Sequence, residues 1–451
     1  MRPRPVALLV VCFVVAAGWA GTGSAAAVTW TPVRGALADR PLDAARDGAR
    51  VLVLGQGARG LSVTTVARGA VAARQVVTKA RVRHPRLLVT PSGAAVVVWS
   101  GPGTVFASHR PSRGARFGPA RVVSAHPGAA TGAAAAPSAA VAPDGRVLVA
   151  WWGGPAGGRL GIQASELGPS GRWSAPVEVS GGLYPQDRPD RPIGLTAASA
   201  PDGGWAVAWN QVARRGPGAR AIAQMAARRS PAGAWEAPVT LGEGDAFDGS
   251  PALAAGAGGE LVAAWVEARG RRPDGVAQEM CLVAARAADG TVARREPACR
   301  PLQSAGPPYL ARTGGGGTLI AWTTPPEAGG PAIEVYSRAP GASEWGAGRL
   351  TVAGSRGAPG VESFARSTGG RAVLVTQVFE PVRSRDDGLI RVAVLAADGT
   401  VARRAAGPAT PGRLPHHLKR FLAFAPGRVT GVLTWSSGGG GSAYRLSLLS
   451  L

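Results

Sequence analysis

The residues best equipped for chemistry are arginines and carboxylates gathered in a few long polar stretches. One runs Tyr184-Pro-Gln-Asp187-Arg188-Pro-Asp190-Arg191-Pro192. Others carry Arg214 and Arg215; Glu267, Arg269 and Arg271; and Arg383, Arg385 and Asp386. A guanidinium presents a planar fork of N–H donors that matches a carboxylate or phosphate. These stretches therefore suit an anionic ligand. They equally suit plain solvation, because charged loop residues are stable in water without a ligand.

Sharper motifs fail on their context. Gly55-Gln56-Gly57-Ala58-Arg59-Gly60 has the G-x-G-x-x-G spacing, but a second strand-like segment, LSVTTVARG, follows it where a dinucleotide fold needs a helix. The five histidines show no metal-ligand spacing, and His416-His417 reads as a solvated pair. No catalytic, metal-binding or cofactor-binding residue is assigned, and no cofactor is expected.

Composition frames these candidates. The chain has 451 residues, 50 Lys+Arg against 27 Asp+Glu, and a formal net charge of +23. Lysine occurs only at 79 and 419, so 48 of the 50 basic residues are arginine. The arginines are scattered, which gives a field rather than a site. That field fits an anionic partner such as nucleic acid, acidic glycan or envelope polymer, or a compositional bias with no partner. With 45% hydrophobic residues and 13 Trp, the chain is too apolar to be disordered, and 66 Gly with 38 Pro argue against a helical protein.

The N-terminus reads as a secretory signal. Arg2 and Arg4 precede the apolar run Val6–Ala17, and Ala25-Ala26-Ala27 offers a small-residue cleavage site. Residues 1–27 are therefore expected to be removed, leaving a single domain over 28–451, extracellular and monomeric. No later segment has the length and apolarity of a transmembrane helix. Two cysteines remain, Cys281 and Cys299. If Asp289-Gly290 is a two-residue hairpin turn, position 281 faces 298, and one bulge brings 281 opposite 299. A cross-hairpin disulfide is expected, as suits an oxidising compartment.

The elements that must position all of this repeat along the chain. A short alternating segment ending in Trp recurs at Val96–Trp99, Val147–Trp151, Trp205–Trp209, Leu261–Trp265, Thr318–Trp322 and Val432–Trp435, with Trp-less copies at Val51–Leu54 and Ala372–Thr376. The intervals between copies run from 44 to 59 residues. An apolar strand and tight turn precede each copy, and two further strands follow. That makes four antiparallel strands, A to D, per repeat. Radial repetition of such sheets is a β-propeller. Eight blades are favoured, with seven as the alternative because the first copy is short. The last copy lacks a D strand, and Val28–Leu37 has the D pattern. The N-terminal strand is expected to complete the last blade and close the ring.

The turns between C and D read SRGARF (112–117), SGRW (170–173), SPAGAW (230–235) and GASEW (341–345). Small polar residues leading into an aromatic resemble a degenerate Asp-box of sialidase-like propellers, although no copy has the Asp that the pattern places two residues after Ser. The resemblance implies a fold over most of the mature chain. Its catalytic equipment would be an arginine cluster, a Tyr–Glu pair and an acidic proton donor; of the four tyrosines, Tyr184, Tyr309, Tyr336 and Tyr444, Tyr184 lies in a candidate loop and Tyr309 opens an A strand. The A–B turns are short (PSG, PDG, PDGG, GAGG), whereas long charged connections fall at the B–C and D–A end. That loop face is the expected binding face. The expected function is non-catalytic binding of a glycan, an anionic envelope polymer or a protein. A sialidase-like glycoside hydrolase and a structural envelope scaffold are the alternatives.

Overall fold

The computed structural model describes residues 30–35, 37–124, 137–153, 159–181, 184–185, 194–214, 220–244, 250–271, 277–288, 291–301, 307–313, 315–327, 330–351, 359–366, 372–378, 389–406, 419–425, 428–436 and 444–450. The signal segment and several candidate residues (Asp187, Arg188, Asp190, Arg191, Arg215, Arg383, Arg385 and Asp386) lie outside them. Among the described residues the protein is all-β, with one helical turn at Ala257–Gly259. No helix among them is long and apolar enough to cross a membrane.

Among the described residues the strands form eight antiparallel sheets ordered A-B-C-D, the third with an added short strand, Tyr184–Pro185, on its C strand. The first is complete despite its brevity in the sequence: Arg40–Asp47, Arg50–Gly57, Gly60–Ala67 and Ala70–Thr78 follow one another through two-residue turns. The G-x-G-x-x-G segment is the B–C hairpin of this sheet. Gly60 takes φ +98°, and a Cβ there would sit 2.1 Å from the Thr78 carbonyl oxygen, so the glycine serves the turn rather than a phosphate. The eighth sheet takes its A, B and C strands from Lys419–Ala425, Arg428–Ser436 and Tyr444–Ser450. Its fourth strand is Trp30–Pro32, with Trp30 opposite Leu449 and Pro32 opposite Ser447.

The A strands lie side by side in chain order. Arg40–Asp47 contacts Arg83–Val89, which contacts Ser138–Val141, and the series continues through Leu195–Ser199, Ala252–Ala255, Tyr309–Arg312, Pro359–Arg366 and Lys419–Ala425. The last of these also contacts Arg40–Asp47. Side chains stitch neighbours together. Asp43 accepts the Leu87 N–H at 2.8 Å, Ser138 Oγ accepts the Ala197 N–H at 2.9 Å, and Thr196 Oγ1 donates to the Pro251 carbonyl at 2.6 Å.

The B strands are apolar on both faces, and successive residues serve different joints. Ala95, Val97 and Trp99 pack against Leu52, Leu54 and Leu61 of the first sheet. Val96 and Val98 pack with Val147, Val149 and Trp151 of the third. The rule holds along the chain: Trp209, Trp265 and Trp322 each pack toward the preceding sheet and are at most 1% exposed. The core is thus a series of inter-sheet layers, and each anchor Trp contributes about 4 kcal/mol of buried apolar area.

A second set of joints is ionic. Arg110, Arg229 and Arg338 occupy one ladder position, opposite the first residue of their B strands (Ala95, Trp205 and Thr318). Each reaches an acid of the preceding sheet: Asp47 at 2.8 Å, Glu166 at 3.1 Å and Glu260 at 2.9 Å. Arg110 and Arg338 also lie over the aromatic rings of Phe117 and Trp345, both at 5.8 Å. In two of the four Asp-box-like turns, those closed by Phe117 and Trp345, the aromatic therefore backs a guanidinium.

Candidate binding site at the B–C end

The long B–C connections are mostly hairpin extensions rather than loops. In the fifth sheet the B strand runs over Leu261–Arg271 and the C strand over Ala277–Ala288. Glu267, Arg269 and Arg271 are therefore strand residues, as is Arg214 in Trp205–Arg214. Tyr184 belongs to a short strand, Tyr184–Pro185, that pairs with Arg159–Leu160. These placements correct the loop reading. In Val266-Glu267-Ala268-Arg269 the apolar–charged alternation continues the strand past Trp265, and its charges look like a loop only when the period is ignored.

Two of the expected residues, Glu267 and Arg269, come together. Trp265 and Glu267 point the same way because they are two apart on a strand. The Trp265 indole Nε1–H donates to Glu267 Oε1 at 3.0 Å. Glu267 Oε2 accepts from Arg294 at 2.6 Å, and Arg269 lies 3.5 Å from the same oxygen. Glu296 Oε1 accepts from Arg294 at 3.1 Å and from Arg269 by a short bond. Two carboxylates and two guanidinia thus close a ring of ion pairs. Glu267 is 3% exposed, whereas Arg269, Arg294 and Glu296 are 39%, 30% and 32% exposed. The hydrogen bond to Glu296 is the largest influence holding the Arg269 guanidinium above its ordinary pKa. Gly242 of the fourth sheet makes room for the cluster, since a Cβ there would sit 2.9 Å from the Trp265 ring and 3.2 Å from Arg294.

Arg294 and Glu296 were not expected. They lie on the D strand, Thr291–Pro301, and the signal that points to them is the same alternation in Arg294-Arg295-Glu296. The hairpin behaves as its spacing requires. Ala288 pairs with Thr291, a shift occurs between Leu282 and Ala284, and Cys281 then stands opposite Cys299, joined by a disulfide. That bridge ties the C and D strands beneath the charged cluster.

The arrangement can hold an anion at the exposed edges of Arg269 and Arg294. Both of its carboxylates are engaged by these two guanidinia. Two further groups among the described residues serve packing. Tyr336 donates a short hydrogen bond to Glu334, a Tyr–Glu pair by composition, but both residues are buried between the fifth and sixth sheets. Burial raises the carboxyl pKa of Asp43 against the lowering influence of Arg86, yet its two oxygens already accept the backbone N–H groups of Leu87 and Ala44.

No protein-family model and no curated protein matches this chain. Among solved structures it is similar to an ulvan lyase from a family of polysaccharide lyases, at 10% identity over 81% of this chain and 96% of that one, with a TM-score of 0.48. It is also similar to an α-L-arabinanase of Penicillium chrysogenum, at 14% identity over 70% and 92% of the two chains (TM-score 0.37), and to a leech intramolecular trans-sialidase, at 9% identity over 87% of each (TM-score 0.36). At such identities and scores the likenesses assign no activity, and the fold stands on the strand pairing.

Proposed function

We propose that this protein is a secreted β-propeller that binds an anionic glycan or envelope polymer without transforming it, through the face formed by its B–C and D–A connections. Residues 28–451 form one domain of eight blades, and the N-terminal strand closes the ring. Two features support the architecture: the unbroken series of A-strand contacts, last to first, and the pairing of Trp30–Pro32 with Tyr444–Ser450. The disulfide is consistent with an extracellular site of action.

The observation that carries the functional reading is the Glu267–Arg294–Glu296–Arg269 ring. There the B–C end offers guanidinium edges while both its acids are occupied. Arg214, Arg215, Arg383 and Arg385, with the Tyr184–Arg191 stretch, would extend that surface. The test is an array of anionic and neutral polysaccharides presented to the mature protein over a salt series, run beside a panel of fluorogenic glycosides. Binding to the anionic members that weakens steeply with salt, with no sugar released, is the expected result. Release of sialic acid or another sugar would replace this reading with the hydrolase, and absence of binding at low salt would remove it.

A further inference from the structure

A cavity of about 750 Å³ opens at the opposite end of the molecule, between the first and second sheets. Its lining includes five arginines, Arg50, Arg68, Arg74, Arg110 and Arg116, and no acid. Two of the five are neutralised from outside the lining. Arg74 is paired with Asp39, and Arg110 with Asp47 and the Gly93 carbonyl. The other three, Arg50, Arg68 and Arg116, have no hydrogen-bond or ion-pair partner among the described residues. At other joints of this end several arginines are engaged: Arg146 holds Asp144 and Glu166, Arg228 holds Glu236, and Arg312 holds Glu260.

The cavity is built, not merely exposed. The Gln75 side chain spans the two sheets, donating to the Phe117 carbonyl at 2.8 Å and accepting the Phe117 N–H at 2.9 Å, which fixes one wall. Val63, Ala115 and Phe117 give it apolar surface. Arg68 is the informative member. It sits with Gly69 in the two-residue turn between Ala67 and Ala70, with φ +49° at Arg68 and +71° at Gly69. Turns with both central residues at positive φ favour Asn-Gly, because a long side chain is disfavoured there. The turn tip is also pinned from the N-terminal segment, where the Arg34 N–H donates to the Gly69 carbonyl at 2.7 Å and the Val71 N–H donates to the Arg34 carbonyl at 2.9 Å. An arginine is thus kept at a position whose backbone prefers another residue, at the rim of a cavity with unbalanced positive charge. Residues held in disfavoured conformations concentrate where they serve a ligand.

The geometry points to a binding site for an acidic saccharide segment, with sugar rings against the apolar wall and carboxylate or sulfate groups on Arg50, Arg68 and Arg116. The size is that of a ligand pocket, and paired guanidinium N–H donors match either oxyanion. The site lies away from the B–C/D–A face and does not depend on it.

Titration calorimetry of the mature protein at low ionic strength tests this, using hexagalacturonate for the carboxylate, a heparin-derived hexasaccharide for the sulfate, inorganic tripolyphosphate as an anion without a sugar ring, and neutral cellohexaose. At least one acidic saccharide is expected to bind saturably, with tripolyphosphate and cellohexaose about tenfold weaker or silent. The combined variant Arg50→Gln, Arg68→Asn, Arg116→Gln is expected to lose about tenfold or more in affinity. Arg68→Asn alone is expected to weaken binding while leaving the thermal midpoint unchanged or higher, a split that a purely structural arginine would not produce. A variant with Arg214, Arg215, Arg383 and Arg385 changed to Gln is expected to retain this binding. Undiminished binding by the cavity variant, equal binding of tripolyphosphate, or no saturable binding of either acidic saccharide overturns the proposal. Loss in the four-arginine variant alone would move the ligand to the loop face, leaving the proposed function standing without this cavity.

Discussion

At the scale of single residues, the recurring Trp is the clearest signal in the chain, and its surroundings differ from sheet to sheet. Trp265 and Trp322 hold equivalent positions and are both buried against the preceding sheet. The Trp265 Nε1–H donates to Glu267, whereas the Trp322 Nε1–H has no hydrogen-bond partner among the described residues. Replacing each with Phe removes a similar amount of apolar surface but only one hydrogen bond to a buried charge. Trp265→Phe is therefore expected to cost about 1–3 kcal/mol more than Trp322→Phe, read from denaturant midpoints. Equal losses would mean that Arg294 alone satisfies Glu267. The fixed Trp spacing could be read directly from the sequence because burial imposes a residue type at that position. The partner two residues on could not, since one sheet supplies Glu there, another Gln211 and others Gly101 and Gly153.

At the scale of elements, strand order and the disulfide hairpin were legible because both depend on local spacing. The pairing of Cys281 with Cys299 needed only a turn position and one bulge, and both are bounded by the 18-residue separation. The ionic joints were not legible. Their arginines carry a faint signal, each ending a C strand just before a proline: Arg110-Pro111, Arg229-Ser230-Pro231 and Arg338-Ala339-Pro340. Their acids come from the preceding sheet, 63 to 78 residues away, where no local period points to them. Glu260 shows the consequence. Burial works to raise its carboxyl pKa, but hydrogen bonds from Arg286, Arg338 and Arg312 overcome that and bring it from 4.5 to about 2. Because the folded value is lowered, the stabilisation is complete above the unfolded value and disappears as pH falls from about 4.5 toward 2. Glu260→Gln is expected to lower stability by about 2 kcal/mol at neutral pH and to flatten the pH dependence across that window, as followed by urea unfolding at a series of pH values. An unchanged acid limb in the variant would place the acid sensitivity in another carboxylate.

At the scale of the molecule, eight sheets in chain order have one place where covalent continuity cannot hold neighbours together, the seam between the last sheet and the first. Among the described residues, Arg40–Asp47 lies against Lys419–Ala425 and Arg428–Ser436 across it, and Trp30–Pro32 supplies the outer strand of the final sheet. The latter matters beyond its three paired residues, because the same N-terminal segment goes on to pin the Arg68–Gly69 turn through Arg34. The seam and the proposed saccharide cavity therefore share one strip of chain. Removing residues 28–35 from the mature protein, the paired strand together with Arg34, should leave Tyr444–Ser450 as an unpaired edge, which invites pairing with a second molecule. Two effects are expected together: a lower thermal midpoint, and concentration-dependent association seen by light scattering coupled to size exclusion. A synthetic peptide spanning residues 28–37 should reverse both, because it supplies the missing strand and the Arg34 contacts. If the shortened protein stays monomeric with an unchanged midpoint, the A-strand contact alone closes the seam. The N-terminal strand would then act chiefly on the turn at Arg68, and its removal should weaken acidic-saccharide binding without affecting the fold.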